Sequence, residues 1–514
     1  MDLAVKRVGG FGRYQFLCTV IMALFRNAGL SIIYGVPTLV AQQDYLCRTV
    51  PDAPLEACET DNICALLAKG DFVEYEVDKT AIGYLQAWEE EMNLMCVPRS
   101  QVSFMTSCYF IGFGVGIILF PLPDLYGRRK ALLVSMAGYL VAITMLLFFK
   151  SMTMRSISLF LIGFFHLKNS SSYVLCYETV QDKHKALSST AINAFDGATL
   201  IFLGTYFIFV KDWFPYQFIM FIIQFISFFV FLALMTESPK WLLLKGRNLE
   251  AIEVFNYYAR FNGYDESRYI PQDAVFVESY ANLSKAVALK KDGDKSKTKG
   301  GYGKTMKNLT RQLSDTSFTQ ATEEQPAETK GGYCTQLHML CLFFFIFQMG
   351  YICYYLLGIL KGSKTTLNIV TGLGESSGMI VTGILLSNFK DKNIVFILII
   401  LNAIMMSLIY FIGQTNPIVN YISLFFCINT VAGAFNVSFV MAELRTPPQI
   451  LGAFIEISVS VGTMSCLVVH FILQQGLPFT VTTNCCMAIP LLLLLVTLPK
   501  PLKEEIFEEE QELQ

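Results

Sequence analysis

The sequence predicts an all-α polytopic membrane protein, with twelve transmembrane helices arranged as two six-helix bundles. Three observations carry that prediction. The 514-residue chain is 54% hydrophobic and only 16% charged, whereas a soluble chain carries about 25% charged residues. Its apolar residues gather into about twelve runs of roughly 20 residues, each long enough to cross a bilayer. A long polar segment then divides those runs six and six. The mean hydropathy of +0.48 and forty-three phenylalanines point the same way, since one soluble core would not bury so many rings. The net charge of −2 argues against a nucleic-acid partner.

The first span is expected at 14–38. The segment before it is short and has no cleavage-site pattern, and the apolar run is too long for a signal-peptide core. The next five spans fall at 102–122, 131–149, 156–179, 186–210 and 215–235. After the polar segment come 338–359, 367–389, 393–413, 418–442, 450–473 and 477–498. Under this count Lys6, Arg7, Arg13, Arg128, Arg129, Lys130, Lys183, Lys185, Lys390 and Lys392 share one side. By the positive-inside bias both termini are expected on the cytoplasmic side or its organellar equivalent. Lys150, Arg155, Lys361 and Lys364 fall on the other side and make the bias moderate.

The residues divide into an N-terminal bundle (1–235), a cytoplasmic linker (236–334), a C-terminal bundle (335–500) and an acidic tail (501–514). The first outer loop, 41–101, is long and acidic and holds Cys47, Cys58, Cys64 and Cys96. Four cysteines in one loop facing an oxidising space point to two disulfides, with three pairings open; in a reducing compartment they would stay free. The Asn-x-Ser/Thr sequences at Asn169, Asn282, Asn308 and Asn436 lie in spans or on the inner side, so none marks a surface loop. In the linker, Glu237-Ser-Pro-Lys-Trp241 through Arg247, continuing into Ala251–Ala259, reads as amphipathic helices at the membrane surface. Residues 290–330 are rich in Lys, Gly, Thr, Ser and Gln and read as disordered linker.

A weak internal repeat is visible. Tyr177-Glu178 precedes a basic turn ending in Lys185 and a new span; Ala442-Glu443 precedes Arg445-Thr-Pro-Pro448 and a new span. Repeated halves are a transporter architecture. The second-to-third loop, Phe120-Pro-Leu-Pro-Asp-Leu-Tyr-Gly-Arg-Arg129, carries an acid that can accept backbone N–H groups, a glycine free to adopt unusual angles and two arginines able to pair with acids.

That loop resembles the signature loop of the major facilitator superfamily, G-x-x-x-D-x-x-G-R-R/K. Further stretches resemble its organic cation/anion (organic-ion) transporter branch: Gly9-Gly-Phe-Gly-Arg-Tyr-Gln15, Ala87-Trp-Glu-Glu-Glu-Met-Asn-Leu-Met-Cys96, Glu237–Arg247, Ala259-Arg-Phe-Asn-Gly263, and Phe435-Asn436 through Glu443-Leu444. The resemblance implies the major facilitator fold and alternating-access transport of small organic ions or zwitterions. It also implies plasma membrane as the default location, with an organellar membrane open. The chain departs from the pattern at Phe120, where the family has glycine, and at Pro123 and Leu125. Ser387-Asn-Phe-Lys-Asp-Lys-Asn393 has largely lost the second copy of the motif. Lys185 and Ile450 replace usual arginines, and Ser460 is neutral where relatives often carry a charge that tracks the substrate's.

Ionisable residues inside spans are costly and mark candidate sites. Arg26, Lys168, Asp196, Glu375 and Glu456 are such residues. Counting along the helices puts Arg26, Lys168 and Asp196 near the midplane, with Lys168 and Asp196 at the same depth within about a turn; the Lys168–Asp196 pair and Arg26 either line a cavity that binds a charged substrate or relays a proton, or the pair only fixes packing. Gln348, Tyr351 and Tyr355 share one face of the seventh helix and offer an amide and aromatic rings to a solute, or pack between helices. Gly112 and Gly116 read as a close helix contact. Asp124, Gly127, Arg128, Arg129, Glu178, Lys185, Glu237, Arg247 and Glu443 cluster at inner helix ends as a candidate gating network, or serve only to set topology. The four histidines show no metal-ligand spacing and no phosphate-binding loop occurs, so neither an enzyme, a metal site, a cofactor nor ATP-driven pumping is expected.

Two functions fit these residues. The first is a secondary active or facilitative transporter of small organic solutes in a lipid bilayer, with its coupling ion open. The second is a transporter-derived, non-transporting structural subunit with protein partners in a larger membrane complex; the eroded second motif, Phe120 and Ser460 favour it, whereas the intact Glu237–Arg247 stretch and the midplane charges favour the first, which is the reading adopted.

Overall fold

A computed structural model describes residues 2–50, 53–81, 84–272, 274, 332–360, 364–386, 388–413, 415–446, 450–473 and 476–499. The expected disordered linker and acidic tail lie outside the described residues. The N-terminal half begins with α1 (Asp2–Arg7) and the long α2 (Arg13–Leu39). A small antiparallel sheet follows, β1 (Tyr45–Arg48), β2 (Glu56–Cys58) and β3 (Glu74–Val77), ordered β2-β1-β3 with Tyr45 opposite both Cys58 and Val77. It carries α3 (Thr60–Lys69) and α4 (Trp88–Glu91).

Next come α5 (Arg99–Val115), α6 (Leu122–Tyr126), α7 (Arg128–Phe148), α8 (Met152–Phe164), α9 (Leu167–Thr179), α10 (Asp182–Phe209) and α11 (Trp213–Leu234). Two short helices, α12 (Pro239–Leu244) and α13 (Asn248–Phe261), follow. The C-terminal half contains α14 (Gly332–Ile359), α15 (Lys364–Leu385), α16 (Asp391–Phe411), α17 (Pro417–Arg445), α18 (Leu451–Leu473) and α19 (Leu477–Thr497).

Local chemistry sets several starts. Ser151, Asp212, Ser238 and Asn416 each accept a backbone N–H at the first turn of α8, α11, α12 and α17, satisfying a donor the helix leaves unpaired. Pro239 and Pro417 follow two of these caps, where a missing N–H costs nothing.

Among the described residues nine helices are long and apolar enough to cross a membrane. The other three expected spans are α8–α9, α15 and α18. The span expected at 156–179 is two helices, broken at Phe165-His166. Side chains support the break: the Phe165 carbonyl accepts from Ser135 Oγ (2.7 Å), and His166 Nδ1 donates to the Gly163 carbonyl (3.0 Å). The second span also ends early as α-helix, at Val115, then tightens into a 3₁₀ turn over Gly116–Leu119. The interruption precedes Pro123; Pro121, which lacks an N–H and crowds the preceding turn, is the nearer cause.

The amphipathic helices α12 and α13 pack on the N-terminal half. Their buried Trp241, Leu242, Ala251, Phe255 and Tyr258 share a core with Val5, Tyr14 and Phe231. The Asn262 side chain ties them to the chain start, accepting from Tyr14 N (2.9 Å) and donating to the Val8 carbonyl (2.8 Å). In the main core, glycines bring helices together. A Cβ at Gly112 would sit on the Phe160 carbonyl, and one at Gly163 on that of Tyr109, so α5 and α8 touch backbone to backbone as the Gly-x-x-x-Gly spacing predicts.

The two halves meet along α10 and α15. Gly197 and Gly372 lie against each other's carbonyl oxygens at mid-length; Gly204 faces Thr365 toward the sheet-bearing end, and Gly383 faces Thr190 toward the opposite end. On the other flank Gly114 of α5 lies against Met464 of α18.

Candidate functional site

The centre of the bundle is polar. Arg26 on α2 is buried and faces Asn193 and Asp196, one turn apart on α10. Its guanidinium donates to Asn193 Oδ1 (2.6 Å) and to Asp196 Oδ2 (3.1 Å). Asn193 passes the network to the other half, donating to Asn436 Oδ1 (3.2 Å). Asn436 in turn donates to Thr190, Thr382 and the Met379 carbonyl, each at 3.3 Å. Asp196 is thus held by Arg26. Lys168 lies in α9, but its side chain is outside the described residues, and with it the expected Lys168–Asp196 pair.

Glu375 on α15 faces the same region. It is 4% exposed. Tyr34 donates to its Oε1 (3.4 Å), and the Tyr354 hydroxyl faces the same carboxylate. The Tyr34 and Tyr354 rings stand stacked, 5.8 Å apart. Glu375 Oε2 has no hydrogen-bond partner among the described residues. A buried carboxyl group with a spare oxygen beside two tyrosine hydroxyls offers hydrogen-bond acceptors, and charge when ionised, to a cation.

The α14 face is only partly as expected. Gln348 donates to Ser465 Oγ on α18, while its Oε1 is buried without a partner among the described residues. Tyr351 packs edge-on against Phe110 of the other half (5.9 Å), and Tyr355 is partly buried against the main core. Glu456 on α18 meets a residue the sequence left aside: His166 Nε2 lies 3.5 Å from its Oε2. Ser460 Oγ is 3.3 Å from the same nitrogen.

At the end opposite the sheet, the signature loop builds a charge cluster. Arg128, 2% exposed, pairs with Asp124 (2.7 Å) and Glu178 (3.2 Å). Asp124 was expected to accept backbone N–H groups; the guanidinium takes it instead, and Glu237 fills that role, accepting Arg129 N (3.0 Å) and Ser238 N (3.0 Å). Arg129 donates to the carbonyls of Met235 (2.6 Å) and Leu232 (2.9 Å) at the end of α11. Burial raises the Glu237 pKa, while the backbone donors and Arg128 oppose that shift. A Cβ built at Gly452, at the start of α18, lies 3.8 Å from Asp124 Oδ1, which carries the cluster to the other half.

Two members of the expected network also make contacts outside it, and Arg247 keeps Glu237 as a neighbouring charge. Arg247 pairs at the surface with Glu250, three residues on, where one helical turn brings the two together. Lys185 lies over the Tyr177 ring (4.4 Å). The Glu443 side chain is outside the described residues. A second pair was missed: Asp391 accepts from the buried Arg445 (2.5 Å). The eroded loop at 387–393 kept its acid, and Arg445 stood in the quoted repeat, so the signal was present but their pairing was not.

At the sheet-bearing end the two disulfides are Cys47–Cys58 and Cys64–Cys96. Arg155 stacks between Trp88 (4.6 Å) and Trp213 (5.1 Å) and pairs with Glu91, which fastens the stapled segment to α8 and α11.

A family model described as Major Facilitator Superfamily matches residues 16–470. The chain is 22% identical over 291 residues to organic cation transporter 1 of Caenorhabditis elegans, covering 51% of this chain and 50% of the relative. It is 24% identical over 306 residues to solute carrier family 22 member 7 of Rattus norvegicus, covering 50% and 56%. The chain spans about half the length of the curated relatives it matches. Its fold is similar to that of the proton:xylose symporter XylE (TM-score 0.57, 15% identity, 95% and 96% coverage). It is also similar to that of the human organic anion transporter MFSD10 (TM-score 0.56, 11% identity, 96% and 99% coverage).

Proposed function

The chain belongs to the Major Facilitator Superfamily, and from that premise we propose that it is a secondary transporter of small organic solutes that carry a positive charge, either cations or zwitterions. The observation that carries the charge assignment is Glu375, a buried carboxylate reached by the hydroxyls of two stacked tyrosines, with one oxygen that has no hydrogen-bond partner among the described residues. Arg26 and Asp196 neutralise each other beside it, so among the described residues the ionisable group left over beside that pair is an acid. In this reading the solute's cationic group meets Glu375, Tyr34 and Tyr354, and Gln348 supplies an amide from the adjacent helix. Asn193 and Asn436 link the site to both halves. The cluster around Arg128 closes the inner end, the Cys-stapled segment lies outside, and the protein resides in the plasma membrane. Relatives named as organic cation transporters and as organic anion transporters support small organic ions as the solute class, and the sign rests on Glu375.

Uptake into proteoliposomes tests this with tetraethylammonium, glycine betaine and a dicarboxylate as probes. The expected result is uptake of one of the first two. Glu375→Gln should reduce it by about tenfold or more, equivalent to ~1.4 kcal/mol of lost charge-assisted contact, with folding intact by size-exclusion profile. Uptake of the dicarboxylate alone would overturn the charge assignment, and uptake of none of the three would count against transport itself.

A further inference from the structure

We propose that Asn368 and Thr371 form a carboxylate site one to two turns from Glu375, so that the solute is a zwitterion selected by the distance between its two charged ends. The proposal rests on the transport reading and deepens it, because Glu375 is the acid of the site already described. Asn368, Thr371 and Glu375 share one face of α15 at steps of three and four. All three are buried, at 4%, 0% and 4% exposure. Each keeps a buried polar atom without a hydrogen-bond partner among the described residues: Asn368 Nδ2, Thr371 Oγ1 and Glu375 Oε2.

The surroundings of α15 show which way that face points. Leu373, Ile380 and Ile384 are exposed on the opposite side. Ile369, Gly372 and Ser376 lie against α10, and Gly374 and Gly378 against α17. The remaining face turns inward, where Tyr34 of α2 and Tyr354 of α14 meet Glu375. Thr365, which faces Gly204 toward the sheet-bearing end, precedes Asn368 by three residues. The line therefore runs from Glu375 outward. The described state encloses it, so a solute reaches it when the halves part at the sheet-bearing end.

Chemistry assigns the two ends. An amide N–H2 only donates, and a threonine hydroxyl can donate. Residues three apart on a helix hold their Cβ atoms about 5–6 Å from each other, a spacing at which two donors can grip the two oxygens of one carboxylate. Burying such donors without a partner is costly, and a carboxylate, which only accepts, satisfies both. Glu375 lies four residues past Thr371 and seven past Asn368, about 6 and 10 Å along the axis. Helical side chains lean toward the N-terminus of their helix, which here is the outer end, and the longer glutamate reaches further that way. The solute's two charges are thus set about 6–8 Å apart, the reach of an extended chain of about four or five methylenes. Arg26 lies about two turns from Tyr34 toward the opposite end of α2, and its guanidinium is held by Asn193 and Asp196.

Isothermal titration calorimetry on the full chain in lipid nanodiscs tests this with four probes: glycine betaine, 4-trimethylammoniobutanoate, 6-trimethylammoniohexanoate and the carboxamide of the last, a cation of equal length. The hexanoate is expected to bind about tenfold or more tighter than glycine betaine and than its own carboxamide, the scale of one charge-assisted hydrogen bond. Thr371→Val and Asn368→Leu should each lower the hexanoate-to-carboxamide ratio by about fivefold or more. Glu375→Gln should weaken both ligands together. Equal affinities for hexanoate and carboxamide in wild type overturn the proposal. So does a ratio that survives Thr371→Val, the outcome if the carboxylate goes instead to Arg26 Nε, which has no hydrogen-bond partner among the described residues. In both cases carboxamide binding that depends on Glu375 leaves the transport reading standing. If Asn368→Leu does not fold, the near-isosteric Thr371→Val decides alone. Binding of none of the four overturns the proposal, and tetraethylammonium uptake then shows whether the transport reading survives it.

Discussion

At the scale of single residues, the signature loop works by reciprocal capping. Glu237, beyond the end of α11, accepts the Arg129 N–H at the start of α7, while Arg129 donates to the last carbonyls of α11. Each charge thus meets the helix end whose dipole it complements. Gly127 makes room for this. Its φ is +106°, and a Cβ there would lie 2.3 Å from Glu237 Oε2. Gly127→Ala should therefore cost about 1–2 kcal/mol in backbone strain alone, with further loss from displacing the carboxylate; a thermal-unfolding shift in detergent checks it. The raised pKa of Glu237 sets a sign. An acid that holds its proton more tightly when folded stabilises the fold as pH falls toward the ordinary carboxylate range, and that contribution is lost as pH rises through the raised value. Glu237→Gln should flatten this part of the stability profile, read by thermal unfolding across a pH series.

At the scale of elements, the two halves solve the same problem with opposite charges. In the N-terminal half an arginine of the loop, Arg128, reaches an acid near the end of α9, Glu178. In the C-terminal half an acid at the start of α16, Asp391, receives an arginine from the end of α17, Arg445. Arg445 also donates to the Pro499 carbonyl (3.3 Å), drawing in the end of α19. The loss of the second motif is thus a change of sign and not a loss of the contact. Asp391→Asn leaves a buried guanidinium without its counter-charge and should destabilise by about 3–5 kcal/mol. The exchange Asp391→Arg with Arg445→Asp should recover part of that loss, and chemical unfolding of the single and double variants measures the coupling. The spans were legible because apolar runs and their length are properties of the chain alone. The break at His166 was not, because it depends on Ser135 of another helix taking the Phe165 carbonyl. Of the central site, the ionisable residues were legible through their cost in a bilayer. Tyr34, Tyr354, Asn193 and Asn436 were not, because tyrosine and asparagine in a span carry no such warning and gain their meaning only across helices.

At the scale of the whole molecule, the state described here has its halves in contact along the full length of α10 and α15. The contacts at Gly204, Gly197 and Gly383 run from one end to the other, and the Asn193–Asn436 hydrogen bond crosses between them. If the chain transports by alternating access, as proposed, this seam has to part at each end in turn. At mid-length, where Gly197 and Gly372 meet backbone to backbone, little side-chain bulk holds the seam together, whereas Ile369 and Thr190 seat against glycines toward its ends. A covalent tie at one end should therefore arrest the cycle while leaving the fold intact. Thr190 and Gly383 suit such a tie, because a Cβ at Gly383 would lie 3.2 Å from that of Thr190. A small shift brings the pair into the disulfide range of about 3.5–4.5 Å. Thr190→Cys with Gly383→Cys, oxidised in the membrane, should reduce solute uptake by about tenfold or more, on the scale of ~1.4 kcal/mol per decade, and dithiothreitol should restore it. Each single variant should transport in both conditions. Undiminished uptake by the double variant, with the cross-link verified by mass spectrometry, would show that this end of the seam does not open during transport.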